Sequence, residues 1–158
     1  MLRSQLDFKF WSHEPPKPPL GFSGEDDESR YAADGPEKLR VLIVDDELTI
    51  ADTLVEILSG EGYDAMAAAT GDSALASAQT FLPDIVISDV IMPGINGVEL
   101  GIRIRRDLPR CRVILFSGQT ETSDLLGQAR KRGHEFEIIA KPIKPQTLLA
   151  MIRYRGDH

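Results

Sequence analysis

The sequence predicts an α/β fold, a doubly wound five-stranded parallel sheet with helices on both faces. Two observations carry this. Short apolar runs mark five strands, and the first lacks polar alternation, so both of its faces should be buried, as in a parallel sheet. Each run is followed by a stretch whose apolar residues have helical spacing. Strand-then-helix order repeated five times gives right-handed crossovers that cover the sheet.

The first strand is Arg40-Val41-Leu42-Ile43-Val44. Ile50, Leu54, Ile57 and Leu58 then fall at i, i+4, i+7 and i+8, one stripe of a helix that Gly60 and Gly62 end. Tyr63 to Ala69 is a weaker second strand, and Thr70 can cap a helix running to about Phe81. Pro83-Asp84 breaks the chain before the third strand, Ile85-Val86-Ile87. Asn96 to about Asp107 is a helix, Arg112 to Phe116 the fourth strand and Thr120 to Arg132 the next helix. Ile138-Ile139 marks the fifth strand, and Pro145 opens a last helix with Leu148, Leu149 and Ile152 on one face. That helix stops near the end of the sequence, and we expect no output domain.

Residues 1–38 read differently. Pro15, Pro16, Pro18 and Pro19 favour extended backbone, and Glu25 to Glu28 form an acidic run. We expect a disordered or weakly ordered extension there and a domain over 39–156. Phe8, Phe10, Trp11, Phe22 and Tyr31 leave two readings of the extension open: a docking peptide, or a plain leader.

Composition narrows the function. A net charge of -7 over 158 residues argues against direct nucleic-acid binding, which needs a basic surface. The one cysteine, Cys111, cannot form a disulfide within the chain, which fits a cytoplasmic location. No apolar run approaches a membrane span, and no secretory leader is legible.

In open parallel sheets, ligands bind beyond the carboxyl ends of the strands. Strand one ends in Asp45-Asp46-Glu47, strand three in Asp89, strand four in Ser117-Gly118 and strand five in Lys141-Pro142. Loops are polar in general, which accounts for one or two such residues. It accounts poorly for three aspartates, a hydroxyl and a lysine, each directly after an apolar strand. Clustered carboxylates stay ionised only if a cation or donor compensates them. Mg²⁺ suits that role, since it takes carboxylate, water and phosphate oxygens. Lys141 can pair its charge with a carboxylate or a phosphoryl group, and Ser117 supplies one small donor. Together these parts fit phosphoryl transfer with a carboxylate nucleophile.

These motifs resemble the response-regulator receiver domain of two-component systems: Val41 to Glu47, Asp84 to Gly97 with its Asp89-Val90-Ile91-Met92-Pro93-Gly94 core, Phe116-Ser117-Gly118, and Lys141-Pro142. The resemblance implies a flavodoxin-like (βα)5 fold with strand order 2-1-3-4-5. It implies Asp89 as phosphoacceptor, with Asp45, Asp46, Asp89 and the backbone carbonyl of Ile91 holding Mg²⁺, and Ser117 and Lys141 contacting the phosphoryl group. The donor would be the phosphohistidine of a sensor histidine kinase or phosphotransfer protein, and the result a change in binding to a downstream protein partner. A homodimer stays open. The resemblance also implies that Lys141-Pro142 is often cis.

The sequence departs from the family pattern where many receivers carry an aromatic switch residue, three positions before the lysine. Ile138 stands there, with Phe136 two residues earlier, so the partner of Ser117 in the switch is Ile138 or Phe136. Ile91, two places after Asp89, is apolar and cannot orient water, and Gln119 is the remaining polar candidate. We expect a long-lived phosphorylated state.

Other function classes fare less well. A haloacid-dehalogenase-type phosphatase needs a second aspartate where Ile91 stands, so we do not expect a small-molecule enzyme. A degenerate receiver is disfavoured by the complete residue set. Arg103, Arg105, Arg106, Arg110 and Arg112 read as a solvated helix face and loop, Arg130 to Arg132 as a helix end, His134 as a loop residue and Met92 as packing.

Overall fold

The computed structural model describes residues 37–118 and 121–154. The expected extension, up to residue 36, lies outside them, as do Gln119 and Thr120. Among the described residues five strands alternate with five helices: β1 (Arg40–Val44), α1 (Leu48–Gly60), β2 (Asp64–Ala68), α2 (Gly71–Phe81), β3 (Ile85–Asp89), α3 (Gly97–Asp107), β4 (Arg112–Ser117), α4 (Glu121–Lys131), β5 (Glu137–Ala140) and α5 (Pro145–Arg153). The strands lie in the order β2-β1-β3-β4-β5, and every neighbouring pair is parallel.

Local chemistry sets the helix ends. The Thr70 hydroxyl accepts from the Ser73 N–H at 3.0 Å, while the Ser73 hydroxyl accepts from the Thr70 N–H at 3.1 Å. This reciprocal cap starts α2. Asn96 caps α3 by accepting from the Glu99 N–H at 2.9 Å. Gly62, at φ +93°, turns the chain after α1.

The sheet divides the core in two. Leu42, Val44, Val86, Val113 and Leu115 face α2 and α3, with Ala129 of α4 joining them. Val41, Ile43, Ile85, Ile87, Ile114 and Phe116 face α1 and α5. Central strands β1, β3 and β4 are covered on both sides, which is why their sequences show no polar alternation. Burying such a side chain contributes roughly 1.5–3 kcal/mol. Edge strands β2 and β5 are partly exposed, and their apolar signal is correspondingly weaker.

Candidate functional site

Register places the site. Val44 of β1 lies opposite Ser88 of β3, so the next residues, Asp45 and Asp89, come side by side. Ser117 of β4 lies opposite Ala140 of β5, which brings Lys141 to the same edge. Strand alternation then sorts the side chains. Asp45 follows Val41 and Ile43, Asp89 follows Ile85 and Ile87, and Lys141 follows Ile139, so all three belong to the face under α1 and α5. Ser117 follows Val113 and Leu115 and belongs to the opposite face.

The carboxylates are crowded and largely withdrawn from water. Asp45 is 1% exposed and Asp89 7%, whereas Asp46 is open to solvent. One ligand oxygen from each of Asp45, Asp46 and Asp89 lies within 4.8 Å of the others. Lys141 Nζ donates to Asp89 Oδ2 at 2.9 Å, and the Ile91 N–H reaches Asp89 Oδ1 at 3.3 Å. Asp45 Oδ1 accepts from the Glu47 N–H at 2.9 Å. Asp45 Oδ2 is buried with no hydrogen-bond partner, the one such side-chain atom among the described residues. Burial holds the Asp45 carboxyl above its ordinary range; the Glu47 N–H opposes this, Asp89 adds to it, Lys141 opposes it and Asp46 adds to it. An orphaned carboxylate oxygen beside two further carboxylates is the donor set a hard divalent cation takes.

Close packing at Gly97 holds this geometry. Gly97 lies so close beneath the Asp89 carbonyl that an added Cβ would come within 2.1 Å of that oxygen. The Gly97 N–H also donates to the Val90 carbonyl at 2.8 Å, which anchors α3 under the acceptor strand. The Lys141-Pro142 bond is cis. The carboxylates open into a cleft of about 870 Å³ walled by α1 and by the chain after β5.

A family model for the response regulator receiver domain matches residues 41–153. The chain belongs to that family. This receiver is 32% identical over 116 residues to the DNA-binding response regulator MtrA of Mycobacterium tuberculosis, covering 73% of this chain and 50% of MtrA. It spans about half the length of the curated relatives of that kind. Among solved structures, a receiver domain protein from Clostridium thermocellum superposes with a TM-score of 0.65 at 28% identity, covering 72% of this chain and 90% of that one. The chemotaxis protein CheY4 of Vibrio cholerae gives 0.64 at 30%, covering 73% and 97%. The flavodoxin-like receiver fold and its 2-1-3-4-5 strand order are thus shared with solved receivers.

The remaining site residues of the receiver are placed as follows. Ile91 is 48% exposed and lines the cleft beside Asp89. Ser117 pairs its hydroxyl with that of Thr122 in the first turn of α4. Of the two candidates for the switch partner, Ile138 is 40% exposed on β5. Phe136 is held: its ring sits 4.0 Å from the Arg105 guanidinium, and a Cβ at Gly101 would come within 2.7 Å of it. Gln119 lies outside the described residues. Met92 is buried in the core and His134 is in a loop, as read from the sequence.

Two arginines depart from the solvated reading. Arg112 donates to both oxygens of Glu137, at 2.6 and 2.5 Å, and to the carbonyls of Met151 and Ile152 at 2.8 and 3.2 Å. Its partners lie at least 25 residues on in the sequence, beyond the reach of a local charge-pattern argument. Arg105 lies over Phe136 rather than in free solvent, because the long stem can cover an aromatic face. The mid-helix Gly101 was a legible signal for such close packing.

Proposed function

We propose that this receiver is a phosphoacceptor switch in a two-component phosphorelay. An Asp89 carboxylate oxygen attacks the phosphorus of a phosphohistidine on a histidine kinase or phosphotransfer protein. The new O–P bond forms as the P–N bond breaks, and the leaving imidazole keeps its electron pair and takes up a proton. Lys141, already on Asp89 at 2.9 Å, stays beside the phosphoryl oxygens and offsets their charge. Asp45 and Asp46, with Asp89 and the Ile91 carbonyl, would hold Mg²⁺, which when bound would screen the carboxylates from each other and from the incoming phosphoryl group. The observation that carries this reading is one oxygen each from Asp45, Asp46 and Asp89 within 4.8 Å of one another, with Lys141 Nζ 2.9 Å from Asp89.

The reaction ends in a change of binding to a protein partner, not in turnover of a small molecule. Ile91 supports this, since the position two after the acceptor has no group that can transfer a proton. The mycobacterial relative is named as DNA-binding, and this chain matches half of that protein. The net charge of -7 over the full 158 residues argues against direct contact with DNA. Among the described residues no helix is long and apolar enough to cross a membrane. The free, buried Cys111 supports a cytoplasmic location for the receiver.

Acetyl phosphate with Mg²⁺ provides the test. Intact-protein mass spectrometry should show one phosphate adduct on the wild type, none in EDTA and none on Asp89→Asn, whose amide is a far poorer nucleophile. An undiminished adduct on Asp89→Asn would move the acceptor elsewhere and overturn the assignment.

A further inference from the structure

Four polar or charged side chains are buried among the described residues: Asp45, Ser88, Asp89 and Thr122. Two are site carboxylates, and Ser88 donates to the Asp89 carbonyl at 2.9 Å, holding the acceptor strand. Thr122 is 4% exposed, and its hydroxyl meets that of Ser117. A buried hydroxyl is costly unless it is bonded, so the pair stabilises both the end of β4 and the first turn of α4. The pair also determines where Ser117 can act. Thr122 lines the cleft that holds Asp89 and Lys141, and Ser117 is not among the lining residues. Strand alternation turns Ser117 toward the α4 side, away from the face that carries the carboxylates.

We propose that Thr122 is a positioning residue that latches Ser117 out of the cleft in the resting receiver. A serine hydroxyl has one proton to donate. Either hydroxyl can be the donor of the pair, and in both cases the Ser117 oxygen is held at Thr122, away from a phosphoryl oxygen on Asp89. Phosphorylation exchanges the Ser117–Thr122 bond for a Ser117–phosphoryl bond, which removes the tie between β4 and the first turn of α4. The latch carries the signal to α4 without a mobile aromatic, which fits Phe136 being clamped between Arg105 and Gly101. The inference rests on the phosphoacceptor reading of Asp89.

The test compares phosphorylation by acetyl phosphate and Mg²⁺ across wild type, Thr122→Val, Ser117→Ala and the double variant. Valine keeps the shape and removes the hydroxyl. Thr122→Val should be phosphorylated about 3- to 10-fold faster, the worth of one neutral hydrogen bond. Ser117→Ala should be slower, and the double variant should match it, because the gain acts through Ser117. Amide exchange over 122–126 should rise on phosphorylation of wild type and be raised already in Thr122→Val. Ser117→Ala also unlatches α4 and should raise that exchange without phosphate, a result that needs no valine variant to fold. Thr122→Ser keeps the hydroxyl and should behave as wild type. An unchanged or slower Thr122→Val overturns the latch, as does a gain that survives in Ser117→Ala or unaltered exchange in both single variants. A wild type that takes no phosphate at all overturns the phosphoacceptor reading, and the latch with it.

Discussion

At the amino-terminal edge of the sheet, charges are matched. Arg112 ties β4 to Glu137 of β5 and to two carbonyls at the end of α5. The Arg40 N–H donates to Asp84 Oδ2 at 2.8 Å, and its guanidinium donates to the Phe81 carbonyl at 3.1 Å. The hydrogen bond to Glu137 raises the Arg112 guanidinium above its ordinary range, as expected when the charged form is stabilised. At the carboxyl edge the same strands end in three carboxylates against one ammonium, and one buried oxygen has no partner. The difference teaches that the fold is held at one end and kept incomplete at the other. On the proposed reading, a divalent cation and a phosphoryl group would offset the crowded carboxylates at the second end.

Substitutions at the two ends should therefore have separable effects. The largest is expected at the carboxyl edge. Ile91→Asn places a polar group that can orient water beside the aspartyl phosphate, a function typically worth ~10²-fold or more in rate. Dephosphorylation should be at least about 10-fold faster than in wild type, with the thermal midpoint unmoved since Ile91 is half exposed. Equal decay of the two proteins removes the argument for a long-lived phosphorylated state.

Arg112→Ala should show the reverse pattern. It strips charge-assisted bonds from a partly buried pair and from two helix carbonyls, at a cost of about 1–3 kcal/mol. Urea denaturation should report that loss while phosphorylation by acetyl phosphate keeps its wild-type rate. If phosphorylation falls as steeply as stability, the two edges are not independent.

Cys111, just before β4, sharpens the comparison by a smaller effect. Burial pushes its thiol up to about 12, with Asp84 adding to the shift and the Val86 backbone opposing it. The folded state thus disfavours the thiolate. Its contribution to stability is fully present below the unfolded thiol pKa of about 8.5 and is lost as pH rises toward 12. Wild type should lose more stability than Cys111→Ala between pH 9 and 11, measured by denaturant midpoints. Parallel pH profiles would place the thiol in contact with water.

Much of this division was legible in the sequence. Arg40 to Val44, Ile85 to Ile87 and Arg112 to Phe116 were readable as strands because both faces are buried, and the acidic, hydroxyl and lysine residues stood directly after apolar runs. The parallel register then brought Asp45 beside Asp89. Long-range pairing was not legible: nothing near Arg112 points to Glu137 or to the end of α5. Thr122 was hidden in the polar run Gln119 to Asp124, where burial depends on how α4 meets β4. The sequence left Ile138 and Phe136 as equal candidates, and only packing against Gly101 and Arg105 distinguishes a clamped ring from an exposed aliphatic.

Thermal denaturation with and without Mg²⁺, on wild type and Asp45→Asn, tests the incomplete edge most directly. Asn keeps the shape of Asp45 and removes its charge from a buried cluster that also contains Asp89. Without metal, Asp45→Asn should melt above wild type, because like-charge repulsion and the cost of burying the ion are both relieved. Adding Mg²⁺ at ten times its Kd should stabilise wild type by about 1.4 kcal/mol and leave Asp45→Asn nearly unmoved. A wild type indifferent to Mg²⁺, or an Asp45→Asn variant that melts lower without metal and responds to it fully, would contradict the account.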